Sequence, residues 1–428
     1  MKNKKETLLI LIILITICII IFNRDKLYEA KYTEPKDTLL AITINGEIST
    51  TFPTTNAYTG TVECTTGTGK VEWNGTKWVL TTSGITKGST KCNAVFNKKL
   101  TFAETILAKN EVKTPITIPG AAVSTASEAL LASAEDDYGT SYYFRGAVTN
   151  NYVQFANKCW RIVRVGGDGS VKLILHNDNT AGAANPCDPA NNSASAAFAR
   201  YSGTIYTSAF NSSYNDNAYV GFKYGTVGAS GYASAHANTN NSTILTNLEA
   251  WYNDNLSTYE KVIDDTVWCN DKTNIADTSY NPWGYSNVTG LGYGTNRTYY
   301  GATQRLVSTS GSAGGTGPSL KCNGELSKIN SKVGLITADE LALAGYAYAK
   351  NNTTTYLQEN ATDTYWWSLS PHNFNGYSAY VWRVSGSDGN FGGDDVDFAR
   401  GVRPSISLKS TTNVTGEGTS STPYIISM

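Results

Sequence analysis

Tyr365-Trp366-Trp367-Ser368-Leu369-Ser370-Pro371 opens a stretch that closes on Gly401-Val402-Arg403-Pro404-Ser405-Ile406-Ser407-Leu408. Both ends are apolar and strand-like, and between them stand mostly Gly, Ser, Asn, Asp, Tyr and Phe, the composition of a displayed loop on a rigid support. Trp366 and Trp367 fall on opposite faces of any strand, so one is expected in the core and the other toward the loops. A guanidinium fork at Arg403 can tie a strand end to neighbouring carboxylates or carbonyls, and Pro404 suits an edge or a strand entry. The middle is the candidate for ligand contact. Its residues are His372, Asn373, Phe374, Asn375, Tyr377, Arg383, Asp388, Asn390, Phe391, Asp394, Asp395, Asp397, Phe398 and Arg400.

The rest of the chain reads as a support for this stretch. Lys2, Lys4 and Lys5 precede an uncharged apolar run from Leu8 to Phe22. At about 1.5 Å per residue the run is short of a bilayer core, as a signal-peptide core is, but snorkelling lysines extend it and no small-x-small cleavage site follows. An uncleaved signal anchor over residues 1–26 is expected, with the membrane held through residues 8–22 and all that follows exported. A cleaved peptide is the alternative. Residues 38–100 read as a small all-β, sandwich-like domain, with Asn45-Gly46 and Asn74-Gly75 as two-residue hairpin signals and Cys92 to Phe96 as its last strand. Residues 101–137, with Thr114-Pro115 and Ile118-Pro119-Gly120, read as a linker, and Ser127 to Ala134 as one short Ala-rich helix.

A large domain is expected over 138–410, followed by a tail at 411–428. Lys158 to Val165, the Gly166-Gly167-Asp168-Gly169 turn and Ser170 to Leu175 form a hairpin. Residues 177–240 read as a long surface excursion. Ile244, Leu245, Leu248, Trp251, Tyr252 and Leu256 recur at helical spacing. A second helix between Gly334 and Gly345 carries a capping box at Thr337 and Glu340, with Gly345 as its stop.

Charged residues make up only 16% of the 428 and the net charge is -1, which excludes an electrostatic case for nucleic acid. With 39 Gly and 27 Tyr, the composition suits loop-rich extracellular β domains. Seven Cys are present, and setting aside Cys18 in the apolar run leaves an even set outside it. Counting allows about fifteen connectivities; proximity favours Cys64 with Cys92, whose residues flank strands of one small domain, and then Cys159 with Cys187 and Cys269 with Cys322, for which free thiols are the alternative.

The set Tyr143-Phe144-Arg145-Gly146, Cys159-Trp160-Arg161-Ile162-Val163-Arg164, the 334–345 helix, Trp366 to Pro371 and Gly401-Val402-Arg403-Pro404 resembles a family of largely uncharacterised surface proteins of Gram-positive gut bacteria. More distantly, a capped acidic helix, a Trp-rich strand and a terminal Gly-x-Arg-Pro strand are similar to the formylglycine-generating-enzyme and C-type-lectin-like fold. The resemblance implies an α+β chain: a C-type-lectin-like C-terminal domain with ligand contacts on loops of one face, preceded by the small β domain and an N-terminal transmembrane helix. The enzyme branch uses paired cysteines near the end of its domain, and no Cys follows Cys322 here. Variable proteins of diversity-generating retroelements place diversified positions at this same C-terminal location. Adenine-directed mutation of Asn codons excludes Lys, Glu, Gln, Met and Trp, and between Ser370 and Pro404 only Trp382 departs from that set.

Asp388, Asn390, Asp394, Asp395 and Asp397 offer oxygens to calcium, but the EF-hand spacing fails, with Gly392 at the fifth position and Ala399 where Glu is needed. Asp and Asn beside Gly are ordinary turn formers, and no metal or cofactor is expected. Catalytic motifs are missing and His176, His236 and His372 stand alone. The expected function is therefore adhesin- or receptor-like binding of a surface glycan or protein, not enzymatic. A structural surface protein is the alternative, and an enzyme of the formylglycine-generating type a weaker one.

Overall fold

Residues 39–86 and 88–427 are described here by a computed structural model, and the expected membrane segment lies outside them. No helix among the described residues is long and apolar enough to cross a membrane. The chain is α+β, mostly sheet, and divides into Met1–Leu100 and Thr101–Met428.

In the first unit the strands Glu47–Ser49, Leu39–Ile44, Lys91–Lys98 and Tyr58–Cys64 form one sheet in that order. Asn45 and Gly46 both take positive φ, 51° and 83°, as a two-residue hairpin turn demands. At Asn74-Gly75 the two-residue expectation fails. Trp73 pairs with Trp78, so four residues turn the chain, because Asn74 Oδ1 accepts from the amides of Thr76 and Lys77 and widens the turn. That hairpin, Thr68–Trp73 and Trp78–Ser83, packs on the sheet through Val71 and Trp78 against Ala94 and Phe96. Cys64 and Cys92 are register partners and are bridged.

The second unit begins earlier than residue 138. Thr101 and Glu104 form a capping box for the helix Phe102–Lys109, whose Phe102 and Ile106 are buried in the main core. The Ala-rich segment is a strand, Ala129–Asp136, paired along its length with Gly139–Gly146. Propensity yields here to partners: Leu131 enters the main core while Leu130 and Ala132 pack on Tyr143 and Leu343. The linker expectation for 101–137 is thus corrected, and so is the tail. Tyr424–Ile426 pairs with Tyr152–Phe155 and buries Tyr424.

Two sheets organise this unit. The first runs Ser405–Leu408, Val171–Asn177, Lys158–Val165, Tyr152–Phe155, Tyr424–Ile426, Val414–Thr415, with Gly139–Gly146 also on Lys158–Val165. The second runs Thr207–Ser208, Arg400–Gly401, Trp366–Phe374, Ala379–Val384, Phe391–Asp395. Val402-Arg403-Pro404 carries the chain from the second sheet into the first. At Trp366 and Trp367 both faces of the second sheet are covered, so each is fully buried, Trp367 packing on Phe210, and the expectation that one turns outward is corrected. The excursion 177–240 is not superficial: Phe198, Phe210 and Phe222 are core residues. The helix Thr243–Asn255, capped by Ser242, matches its periodicity. The helix Ala338–Ala344 is shorter than expected, but its Thr337–Glu340 box is formed and Gly345, at φ 128°, ends it. The disulfides Cys159–Cys187 and Cys269–Cys322 join the pairs favoured by proximity.

Candidate functional site

The stretch from His372 to Arg400 is a β-meander, not a displayed loop. Register across it pairs Asn373 with Tyr380, Trp382 with Gly393 and Val384 with Phe391. The alternation of a sheet therefore divides the candidate residues between two faces and the turns that join them.

One face is packed. His372, Asn373, Phe374 and Phe391 are buried. The His372 ring stacks on Trp283 at 4.9 Å and meets Trp382 at 4.5 Å, and it lies where a side chain at Gly393 would sit. Burial pulls its imidazole down to about 4, despite a bond to Asn373 that favours the proton. These four residues are scaffold. The expectation that they contact ligand is corrected: Trp283 and Tyr348, from segments far away in sequence, cover the His372 side of the sheet, and Phe374, the register partner of Ala379, is buried on the other.

The opposite face gathers a different set. The Arg383 guanidinium lies 4.5 Å from the Tyr365 ring centre and that of Arg400 lies 4.9 Å from the same ring. Arg400 also stands 5.0 Å over Phe398, which is 45% exposed, and its Nε donates to Asp394 Oδ2 at 2.8 Å. Arg383 Nη1 donates to Asn390 O at 2.9 Å, and Asn390 N donates to Asp388 Oδ1. Arg383 and Arg400 are half-buried, so cation–π contact and ion pairing hold two flexible side chains in place at a partly wet surface. Beside them Tyr206 donates to Asp363 and lies 4.7 Å under Arg200. Ile205, next to Tyr206 in the chain, is 50% exposed.

The remaining candidates lie apart from this patch. Asn375 and Tyr377 occupy the tight turn before Ala379, where Asn375 Oδ1 accepts from the Tyr377 and Ser378 amides and Tyr377 is 74% exposed. Asp395 is the register partner of Tyr380, and Asp397 is half-buried in the following turn. Asp388, Asp394 and Asp395 each have a protein partner, and no cluster of three metal-ligating side chains occurs among the described residues.

Sequence reasoning missed Tyr365 as a contact residue and missed Ile205, Tyr206 and Asp363 altogether. Tyr365 could have been found from parity, since it precedes a strand whose next residue is core. The others come from the excursion and carry no local signal. A cavity of about 390 Å³ elsewhere in the unit is lined by Asp136, Arg164, Lys172, Arg305, Asp339 and Glu340, beside the Cys269–Cys322 bridge. Burial pushes the Glu340 carboxyl up, but Lys172 at 2.7 Å and Arg164 at 2.9 Å overrule it and hold it at about 2. Arg305 likewise pairs with both Asp271 and Asp339. These charges satisfy one another and read as a structural network.

No family model matches the chain, and no curated protein or solved structure matches it.

Proposed function

We propose that this chain is a membrane-anchored extracellular binding protein, adhesin- or receptor-like, whose large unit has the C-type-lectin-like fold. Residues 8–22 hold the membrane, and a surface glycan or protein is the ligand. Contact is made by the face around Tyr365, Arg383, Asp394, Phe398 and Arg400, with Asp388 and Asn390 at its edge. The observation that carries this reading is the pair of guanidiniums stacked on one half-buried tyrosine beside an exposed phenylalanine. Tyr and Arg fixed in this way lose little side-chain freedom on binding, and they are the residue types enriched at binding hot spots. In a retroelement-diversified protein, the solvent-facing positions of 370–404 would vary while His372, Phe374 and Phe391 stayed as scaffold.

The test is a glycan and protein array screened with residues 27–428, wild type against Tyr365→Ala and Arg400→Ala. Reproducible binding lost in both variants supports the proposal. Binding that survives both refutes this face, and complete absence of binding leaves a structural surface protein.

A further inference from the structure

Arg403 lies where the chain crosses between the two sheets and is 1% exposed. Its Nε donates to Leu175 O at 2.9 Å and its Nη1 to Leu357 O, which fulfils the expectation that it ties strand ends together. Its Nη2 has no protein acceptor, and no carboxylate among the described residues pairs with it. The nearby acid, Glu359, is engaged by Arg161 at 3.0 Å and by the Tyr152 hydroxyl at 3.0 Å. Arg161 takes that carboxylate, and Arg403, whose guanidinium lies 5.0 Å over the Trp366 ring, is left without an anion of its own. Burial lowers Arg403 to about 10, so it keeps its proton at neutral pH. An uncompensated buried charge is strongly unfavourable.

The two carbonyls that hold Arg403 belong to the neighbours of His176 and Tyr356, both buried, and each of these carries a polar atom without a partner. Asn360 Nδ2 stands 3.2 Å from His176 Nε2 as well as bonding His176 O and Asn192 Oδ1, and in the tautomer whose Nε2 accepts from it the ring proton is on Nδ1. Glu359 Oε2, 3.8 Å from Nε2, is beyond hydrogen-bond reach. The unpartnered atoms are then Arg403 Nη2–H, His176 Nδ1–H and the Tyr356 hydroxyl, all able to donate. A water molecule could take up such donors but could not offset the charge.

We propose that the interior beside Arg403, between the 175–176 and 356–357 segments, binds a halide ion. The ion accepts from the three donors and serves as counter-ion to the guanidinium.

The full chain is crystallised in bromide, and its melting temperature is followed in sodium chloride against sodium gluconate at matched ionic strength. A bromide anomalous peak within hydrogen-bond reach of Arg403 Nη2 is expected. So is a melting temperature about 2 °C higher once chloride exceeds its dissociation constant about tenfold. Tyr356→Phe is expected to fold and to lose most of that chloride increment. Its hydroxyl donates to nothing else in the protein, so without a bound ion the substitution leaves the two salts equivalent. No bromide peak at Nη2, equal melting in both salts, or an undiminished chloride increment in Tyr356→Phe would each overturn the proposal.

Discussion

Lys272 is fully buried and has only neutral partners. Its Nζ donates to Lys223 O at 3.0 Å, His236 O at 2.9 Å and Asn238 Oδ1 at 2.7 Å. Burial pulls the amine from 10.5 down to about 7. The unfolded chain therefore keeps this proton up to the higher value and the native protein only to the lower. Between them the unfolded state binds one more proton, so stability rises with pH by about 1.4 kcal/mol per unit. Below pH 7 the full penalty, about 5 kcal/mol over the window, is present; above 10.5 it is gone. The three carbonyls favour the ammonium, so this is an upper figure. Lys272→Met removes the titration, and it takes this donor from Lys223 O, Asn238 Oδ1 and the buried His236 O, the last at about 1–3 kcal/mol, a loss that does not depend on pH. Urea unfolding of both proteins, followed by Trp fluorescence at about pH 7 and pH 9, separates the two effects. Wild type should gain up to about 3 kcal/mol over the variant across that interval. Equal gains in the two proteins would refute the claim that this lysine is buried at the expense of its charge.

Other perturbations test other parts of the molecule. Tyr365→Ala should weaken ligand binding at least about tenfold in a titration, with little change in melting, because it removes the ring under both guanidiniums. Glu128→Gln breaks a fully buried pair with Arg145 and should cost about 3–5 kcal/mol in denaturant unfolding. Burial raises the Glu128 carboxyl, but Thr117 and Arg145 overrule it and hold it below 4.5. The stability it contributes is thus present above pH 4.5 and lost as pH falls through the native value. Serine at both Cys64 and Cys92 should destabilise the first unit by about 3 kcal/mol and leave the melting of the second unchanged, as calorimetry would register. Gly146→Ala should fail to give soluble protein, since φ is 80° and an added Cβ would stand 1.7 Å from Glu128 O.

Much of the fold was legible wherever a few neighbouring residues decide the outcome. The Asn45-Gly46 turn, the 158–177 hairpin, the Ser242 cap and the Thr337–Glu340 box each depend on local hydrogen bonds, and each is present. The Thr101–Glu104 box has the same Thr-x-x-Glu signature as the second one, but it stands in a segment whose Pro and Gly content reads as a linker. The Ala-rich strand was not readable, because its conformation is set by the partner strand Gly139–Gly146. Nor was the role of 177–240, whose phenylalanines lack periodicity and are buried by segments distant in sequence.

The sequence alone determined the local devices, favoured by proximity the cysteine pairs that are formed, and singled out the stretch from Tyr365 to Leu408 within the large unit. Only the tertiary structure decided which of its residues face outward. Side chains alternate along a strand, so a run of Gly, Asn, Asp and aromatic residues looks alike from either side. Packing of Trp283 and Tyr348 on one face turned His372 and Phe391 into core and Phe374 is buried on the other, while Tyr365, Arg383, Phe398 and Arg400 remained at the surface.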